Sequence, residues 1–202
     1  MASTNAALDR VKAVPKKSVL KVNRVEVAPF FSMSLNDAYY QHLAGSAAVT
    51  FYPHDSFGIG LGGDYLYAHV RTSNVDLVRQ GLTSVPAVFE LPRLFVHADF
   101  TWVPVYGKAS LFDSSILAFE LYANAGLGVA TAFNDRWLPA ANVGVGQRVF
   151  VADWMALRLE VRNHTFLDTQ EANGLEQSDL QNYVMFMAGV SFFIPPSFEY
   201  TY

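Results

Sequence analysis

The sequence predicts an all-β fold, an eight-stranded antiparallel up-and-down transmembrane β-barrel. Three observations predict it. Apolar and polar residues alternate through eight segments, and a period of two belongs to strands. The chain of 202 residues is 51% hydrophobic yet has no apolar run long enough for a membrane-spanning helix. Charged residues make up 16%, where about a quarter is usual in a soluble domain.

The clearest strand is Met155 to Phe166, MALRLEVRNHTF. Met155, Leu157, Leu159 and Val161 share one face, and Arg158, Glu160, Arg162 and His164 share the other. The remaining strands follow in order. The first spans about Val22 to Ser34, the second about His42 to Tyr52, and the third about Phe57 to Val70. Pro53-His54-Asp55-Ser56 has the residue types of a tight turn. After a long connection, Arg71 to Pro92, the fourth strand covers about Leu94 to Val105 and a turn covers Gly107 to Ser114. The fifth, about Ser115 to Ala130, sets Leu117, Phe119, Leu121, Leu127 and Val129 against Glu120, Tyr122, Asn124, Gly126 and Gly128. The sixth covers about Leu138 to Val151, and Ala152-Asp153-Trp154 turns into the seventh. Leu167 to Leu180 reads as a polar connection, and the eighth strand, about Gln181 to Phe193, stops at Pro195-Pro196.

Alternation does not say which face is inside. A soluble lipocalin-like barrel buries its apolar face, and a membrane barrel exposes it. After Lys21 the one lysine is Lys108, in a turn, whereas a solvated sheet carries many. The polar face is rich in small residues, Gly58, Gly60, Gly62, Gly126, Gly128, Gly144 and Gly146, which suit a narrow lumen. Aromatics gather at strand ends: Tyr52 and Phe57, Tyr65 and Tyr67, Trp102 and Tyr106, Phe133 and Trp137, Phe150 and Trp154. Such girdles mark lipid–water boundaries.

The expected organisation is an N-terminal periplasmic segment at 1–21, a barrel at 22–194 and a periplasmic tail at 195–202, with an even strand count returning both termini to one side. The first twenty residues lack the apolar core of a secretory leader, so the chain reads either as cytoplasmic or as a mature form with an added Met1, and the strand pattern favours the second. Residues 1–21 are basic and read as a solvated tail, with docking to an acidic partner or peptidoglycan as the sharper alternative.

An inward polar face carries Arg24, Glu26, Asp64, Asp99, Glu120, Arg148, Arg158, Glu160 and Arg162, with His97 and His164. Buried charges must pair or be hydrated. A near balance of sign, with arginine in place of lysine, predicts a ladder of ion pairs that plugs the lumen. Glu120 and Glu26 are the expected partners of Arg158, Glu160 and Arg162. A narrow gated pathway is the alternative.

The chain has no cysteine, which removes disulfides and thiolate metal sites, and its net charge of −4 argues against nucleic acid. No cofactor, metal site or catalytic residue is expected. A rim triad of His164, Asp168 and Ser178 is the weak enzymatic alternative, a lipid-modifying activity, because no spacing enforces it. Asp168, Glu171, Glu176 and Asp179 make the last connection acidic without the EF-hand spacing. It reads as a solvated acidic loop, with a divalent bridge to lipopolysaccharide phosphates as the alternative.

DRVKAVPKK, SLNDAYYQH and SFFIPPSFEYTY resemble a family of outer-membrane β-barrel proteins from myxobacteria and relatives, some associated with gliding motility. The resemblance runs from about Asp9 to Tyr202 and implies export to the Gram-negative outer membrane. It supplies no catalytic residues. The expected function is a structural scaffold in an envelope complex. Its expected partners are outer-membrane lipid, lipopolysaccharide and other outer-membrane or periplasmic proteins. The alternative is a small porin-like gated pore.

Overall fold

The structure, a computed structural model, describes residues 19–36, 40–70, 92–111, 115–132, 136–172 and 175–197. Eight strands make up almost all of it: β1 Arg24–Ser34, β2 Tyr40–His54, β3 Phe57–Val70, β4 Pro92–Leu111, β5 Ser115–Ala132, β6 Trp137–Ala152, β7 Met155–Ala172 and β8 Leu175–Ile194. Each pairs antiparallel with its chain neighbours, and β1 pairs with β8 to close the barrel. Closure satisfies backbone donors and acceptors within the wall, as lipid requires.

Following paired residues around the wall from Val25 leads through Phe51, Ile59, Phe100, Ala125, Val143, Asn163 and Val184 to Leu35, ten residues further along β1. That stagger tilts the strands by roughly 40° and leaves an interior just wide enough for side chains.

The apolar rows face out. Leu61 is 67% exposed, Val145 62% and Leu127 74%, whereas Glu26, Glu120 and Arg148 are fully buried. The distribution is that of a membrane barrel and the reverse of a soluble one. Outward aromatics form two rings. Phe57, Trp102, Trp154 and Phe192 mark the end where both described chain ends lie, and Tyr65, Tyr67 and Trp137 mark the other. In β3, Phe57 and the Tyr65–Tyr67 pair are eight to ten residues apart. With the strand rise and tilt, that is a band of about 20–25 Å.

The structure differs from the sequence reading in three ways. Tyr52 and Phe150 point inward and are buried, and Tyr106 packs against the same lower cluster, so none of the three belongs to a lipid-facing ring. Phe133 lies outside the described residues. The turn read at 107–114 is largely strand, with β4 paired to β5 out to Leu111 opposite Ser115. The connection read at 167–180 is a paired hairpin, extending to Ala172 opposite Leu175. Backbone pairing continues past the apolar band, where the apolar–polar alternation that reveals a strand in sequence has ended.

Candidate functional site

The lumen is filled by ionised side chains on the inward parity of six strands, with the β-turn-like entry to β1 closing the lower mouth. At the bottom, Lys21 Nζ donates to Glu120 Oε2 at 2.5 Å. Arg148 Nη1 reaches the same oxygen at 3.1 Å, and its Nη2 donates to the Tyr52 hydroxyl at 2.7 Å. Tyr52 in turn donates to Glu26 Oε2 at 2.7 Å.

One layer up, Arg158 bridges two carboxylates, with Nη1 at 3.0 Å from Glu26 Oε1 and Nη2 at 3.0 Å from Glu160 Oε2. Its guanidinium lies over the rings of Tyr122 and Phe30, 4.5 and 4.9 Å from their centroids. This planar cation stacks and pairs at once, which lysine does not do. Glu160 also takes bonds from the Tyr122 hydroxyl at 2.7 Å and from Asn124 Nδ2 at 2.8 Å.

The upper layer starts at Arg162, whose Nε donates to Glu160 Oε1 at 2.6 Å and whose Nη1 donates to Asp99 Oδ2 at 3.0 Å. His97 lies between two carboxylates, Nδ1 at 2.9 Å from Asp99 Oδ1 and Nε2 at 3.2 Å from Asp64 Oδ2. His164 Nε2 is 3.6 Å from the same Asp64 oxygen. Glycines make the room. A Cβ on Gly126 would run into Asp99 Oδ1, and one on Gly146 would run into the Tyr122 hydroxyl.

Apolar groups cap the ladder at the upper end. Phe95 stacks on His164 at 4.5 Å, Phe166 stacks on Tyr183 at 5.7 Å, and His42 meets Tyr183 edge-on at 5.0 Å. Leu66, Leu138, Met185 and Met187 pack with these rings. At the lower end the chain doubles back beneath the mouth. Asp55 Oδ1 accepts the backbone N–H groups of Lys21 and Val22 at 2.7 and 3.0 Å. Asn23 adopts a φ of 58°, a left-handed conformation that asparagine tolerates, and the chain turns there into β1. Burial among these groups pushes the Lys21 ammonium down to about 8, against the opposing pull of Glu120.

Each residue named from the sequence has a definite place. Glu26, Asp64, His97, Asp99, Glu120, Arg148, Arg158, Glu160, Arg162 and His164 are buried in the lumen. Arg24 sits below the ladder and donates to the main-chain carbonyls of Leu20, Asp153 and Pro195, each at 2.9 Å. It thereby ties both described chain ends to the β6–β7 turn. Glu26 meets Arg158, whereas Glu120 meets Arg148 and Lys21, because β5 brings Glu120 to the lower rim. The sequence places Lys21 in a solvated tail, whereas Val19 and Lys21 are buried under the mouth. The available signal is the last lysine before the first apolar–polar alternation, beside a lumen with one more acid than arginine.

His164 faces Asp64 and Phe95 inside the barrel, and Asp168 lies four residues further up β7, about 13 Å along the strand. The side chains of Asp168 and Ser178 lie outside the described residues, as do those of Glu171, Glu176 and Asp179. Their backbones pair in the β7–β8 hairpin, Asp168 opposite Asp179 and Glu171 opposite Glu176.

Among solved structures, the N-terminal β-barrel domain of Pseudomonas aeruginosa OprF matches with a TM-score of 0.50 at 13% identity, covering 86% of this chain and 98% of that one. The chain has the fold of an outer-membrane β-barrel. Looser matches are the outer-membrane protein AlkL, with a TM-score of 0.38 at 14% identity over 92% of this chain and 98% of that one, and Ail, the attachment invasion locus protein of Yersinia pestis, with 0.34 at 12% over 86% and 99%. At these identities the likeness is one of fold. No protein-family model and no curated protein matches the chain.

Proposed function

We propose that the chain is a structural barrel of the bacterial outer membrane, a scaffold component of an envelope complex. The observation that carries this reading is the unbroken ladder from Lys21 to His164, with apolar rings over one end and a tucked chain under the other. A barrel built to conduct would hold water where this one holds paired side chains. The short turns and both described chain ends fall at the lower rim, so in this reading they face the periplasm and the β7–β8 hairpin faces out. The wall meets lipid, and the outer rim meets lipopolysaccharide. A gliding-motility complex is the finer form of this proposal.

A gated pore is the second reading, and shared carboxylates favour it. Glu26 serves both Arg148 and Arg158, and Glu160 serves both Arg158 and Arg162, so partners can exchange by small rotations. Planar-bilayer recording of the purified protein separates the two. The scaffold reading expects a silent membrane. Stable single-channel steps that vanish when the lumen is further blocked overturn it.

A further inference from the structure

We propose that the outer wall between β4 and β8 holds one phospholipid, with an acyl chain in an oblique furrow and its ester region against Gln147. The proposal rests on the membrane reading above. The furrow has a volume of about 490 Å³, within the range of small-molecule sites. It adjoins a second hollow of about 340 Å³, and Gln147 borders both. Ala123, the small outward side chain between Leu121 and Val145, leaves the floor low, and Leu121, Leu159 and Val161 supply the sides. The β4 ladder breaks register between Trp102 and Val105, and Pro104 from that break lines one end.

Gln147 identifies the occupant. It is exposed on the apolar wall, opposite Leu121 on one strand and Leu159 on the other. Its carboxamide has no side-chain hydrogen bond among the described residues. Asn163, the other outward carboxamide of β6 and β7, bonds Thr165 and Asn182, both at 3.0 Å. Set among apolar side chains and without a partner in the described chain, the Gln147 amide takes its hydrogen bonds from what surrounds the wall.

Its height says which partner. Trp102 pairs with Ala123, which pairs with Val145, and Gln147 lies two residues below Val145. The wall climbs ten residues in eight strands, hence roughly two to three residues in two strands, which returns Gln147 to the level of Trp102. That is the lower aromatic ring, where lipid ester carbonyls lie and accept N–H donors. Apolar furrows above and beside an amide at ester depth fit two chains hung from one glycerol. In the reading above this is the periplasmic leaflet, which consists of phospholipid.

The test uses the full chain folded into vesicles of phosphatidylethanolamine and phosphatidylglycerol, extracted in mild detergent, washed and weighed by native mass spectrometry. The wild type is expected to retain one phospholipid per barrel. Ala123→Phe fills the furrow and is expected to lower retention about tenfold, and Gln147→Leu several-fold, while Ala47→Phe on the β2 wall changes nothing. Gln147→Leu carries the test if Ala123→Phe does not fold, as judged by heat-dependent gel migration. Equal retention in wild type and Gln147→Leu overturns the site, as does a wild type that retains no lipid. A dimer mass lost in Gln147→Leu assigns the furrow to a second copy and also overturns it. Failure of the wild type to enter vesicles at all strikes instead at the membrane reading.

Discussion

Glu26 and Arg158 meet at 3.0 Å although 132 residues separate them and β8 stands between their strands. They meet beside the joint that closes the barrel. There the β1–β8 ladder runs from Val27 opposite Phe192 to Phe30 opposite Gly189, with no pairing at Ala28 or Pro29. Proline has no N–H to donate, so this joint is short of backbone bonds. Glu26 also accepts the Ser191 hydroxyl from β8, so one carboxylate ties β1, β7 and β8 where the ladder is weakest.

Replacing Glu26 with Gln is therefore expected to cost more than an average core substitution. It leaves Arg158 with Glu160 and leaves Arg148 with Glu120, but strips the shared negative charge from between two buried guanidiniums. Removing one partner of a buried pair costs about 3–5 kcal/mol. Urea unfolding followed by gel migration should show that loss. The double variant Glu26→Leu with Arg158→Met should recover part of it. A single variant as stable as the wild type would show that the joint does not depend on this contact.

Residue parity made most of this lumen legible. Glu26 on β1 and Arg158, Glu160 and Arg162 on β7 all fall on the polar face of their strands. What parity does not carry is height. Which carboxylate meets which arginine depends on the stagger, and the stagger accumulates over eight pairings that no local pattern encodes. Phe95 and Phe166 show a second limit. They share parity with His97 and His164, but as apolar residues on a polar face they gave no sign of an upper cap. Lys21 shows a third, since it enters the lumen from a segment with no alternation. The far ends of β7 and β8 are unreadable for a related reason, because the sequence past Phe166 has no apolar–polar alternation although the backbones stay paired to Ala172 opposite Leu175.

Gly126 and Gly45 should respond oppositely to the same added carbon. A Cβ on Gly126 collides with Asp99 Oδ1 and lies 2.5 Å from the Ala98 carbonyl, inside the layer that pairs Arg162. Gly45 faces out, and a Cβ there meets nothing within 4 Å. Gly126→Ala is expected to lose about 1–3 kcal/mol through overpacking. Gly45→Ala should match or exceed the wild type, since alanine narrows the unfolded ensemble. Equal unfolding midpoints for the two variants would mean that the lumen yields where it is drawn tight.

Lys21 gives the lower mouth a pH dependence of definite sign. Its value lies at about 8 when folded, against an ordinary 10.5, chiefly because burial disfavours the charge. Between those two values the unfolded chain holds the extra proton, so stability rises with pH across that window and this contribution is flat below it. Lys21→Met should abolish the rise. It should also leave the barrel at least as stable at pH 7, because Glu120 keeps Arg148 at 3.1 Å. Unfolding midpoints at pH 7 and pH 10 for both proteins test this. A variant that keeps the full rise would assign it to another group.

The outward face offers the most direct test of what surrounds the barrel. Leu61 lies on β3 four residues from Phe57 and four from Tyr65, midway between the aromatic rings, and its side chain is 67% exposed. If lipid covers that wall, Leu61→Arg places a guanidinium near the bilayer midplane at a cost of about 2–4 kcal/mol. Tyr67→Arg, at the upper ring and equally exposed, should cost about 0–1 kcal/mol because its charge reaches the interface. In water the two substitutions would be alike, each within about 0.5 kcal/mol of the wild type, because neither breaks a packed or paired group. Unfolding free energies in phospholipid bilayers decide between these outcomes. A large gap between the two variants places the apolar wall in hydrocarbon, and a gap near zero removes the membrane from the reading altogether.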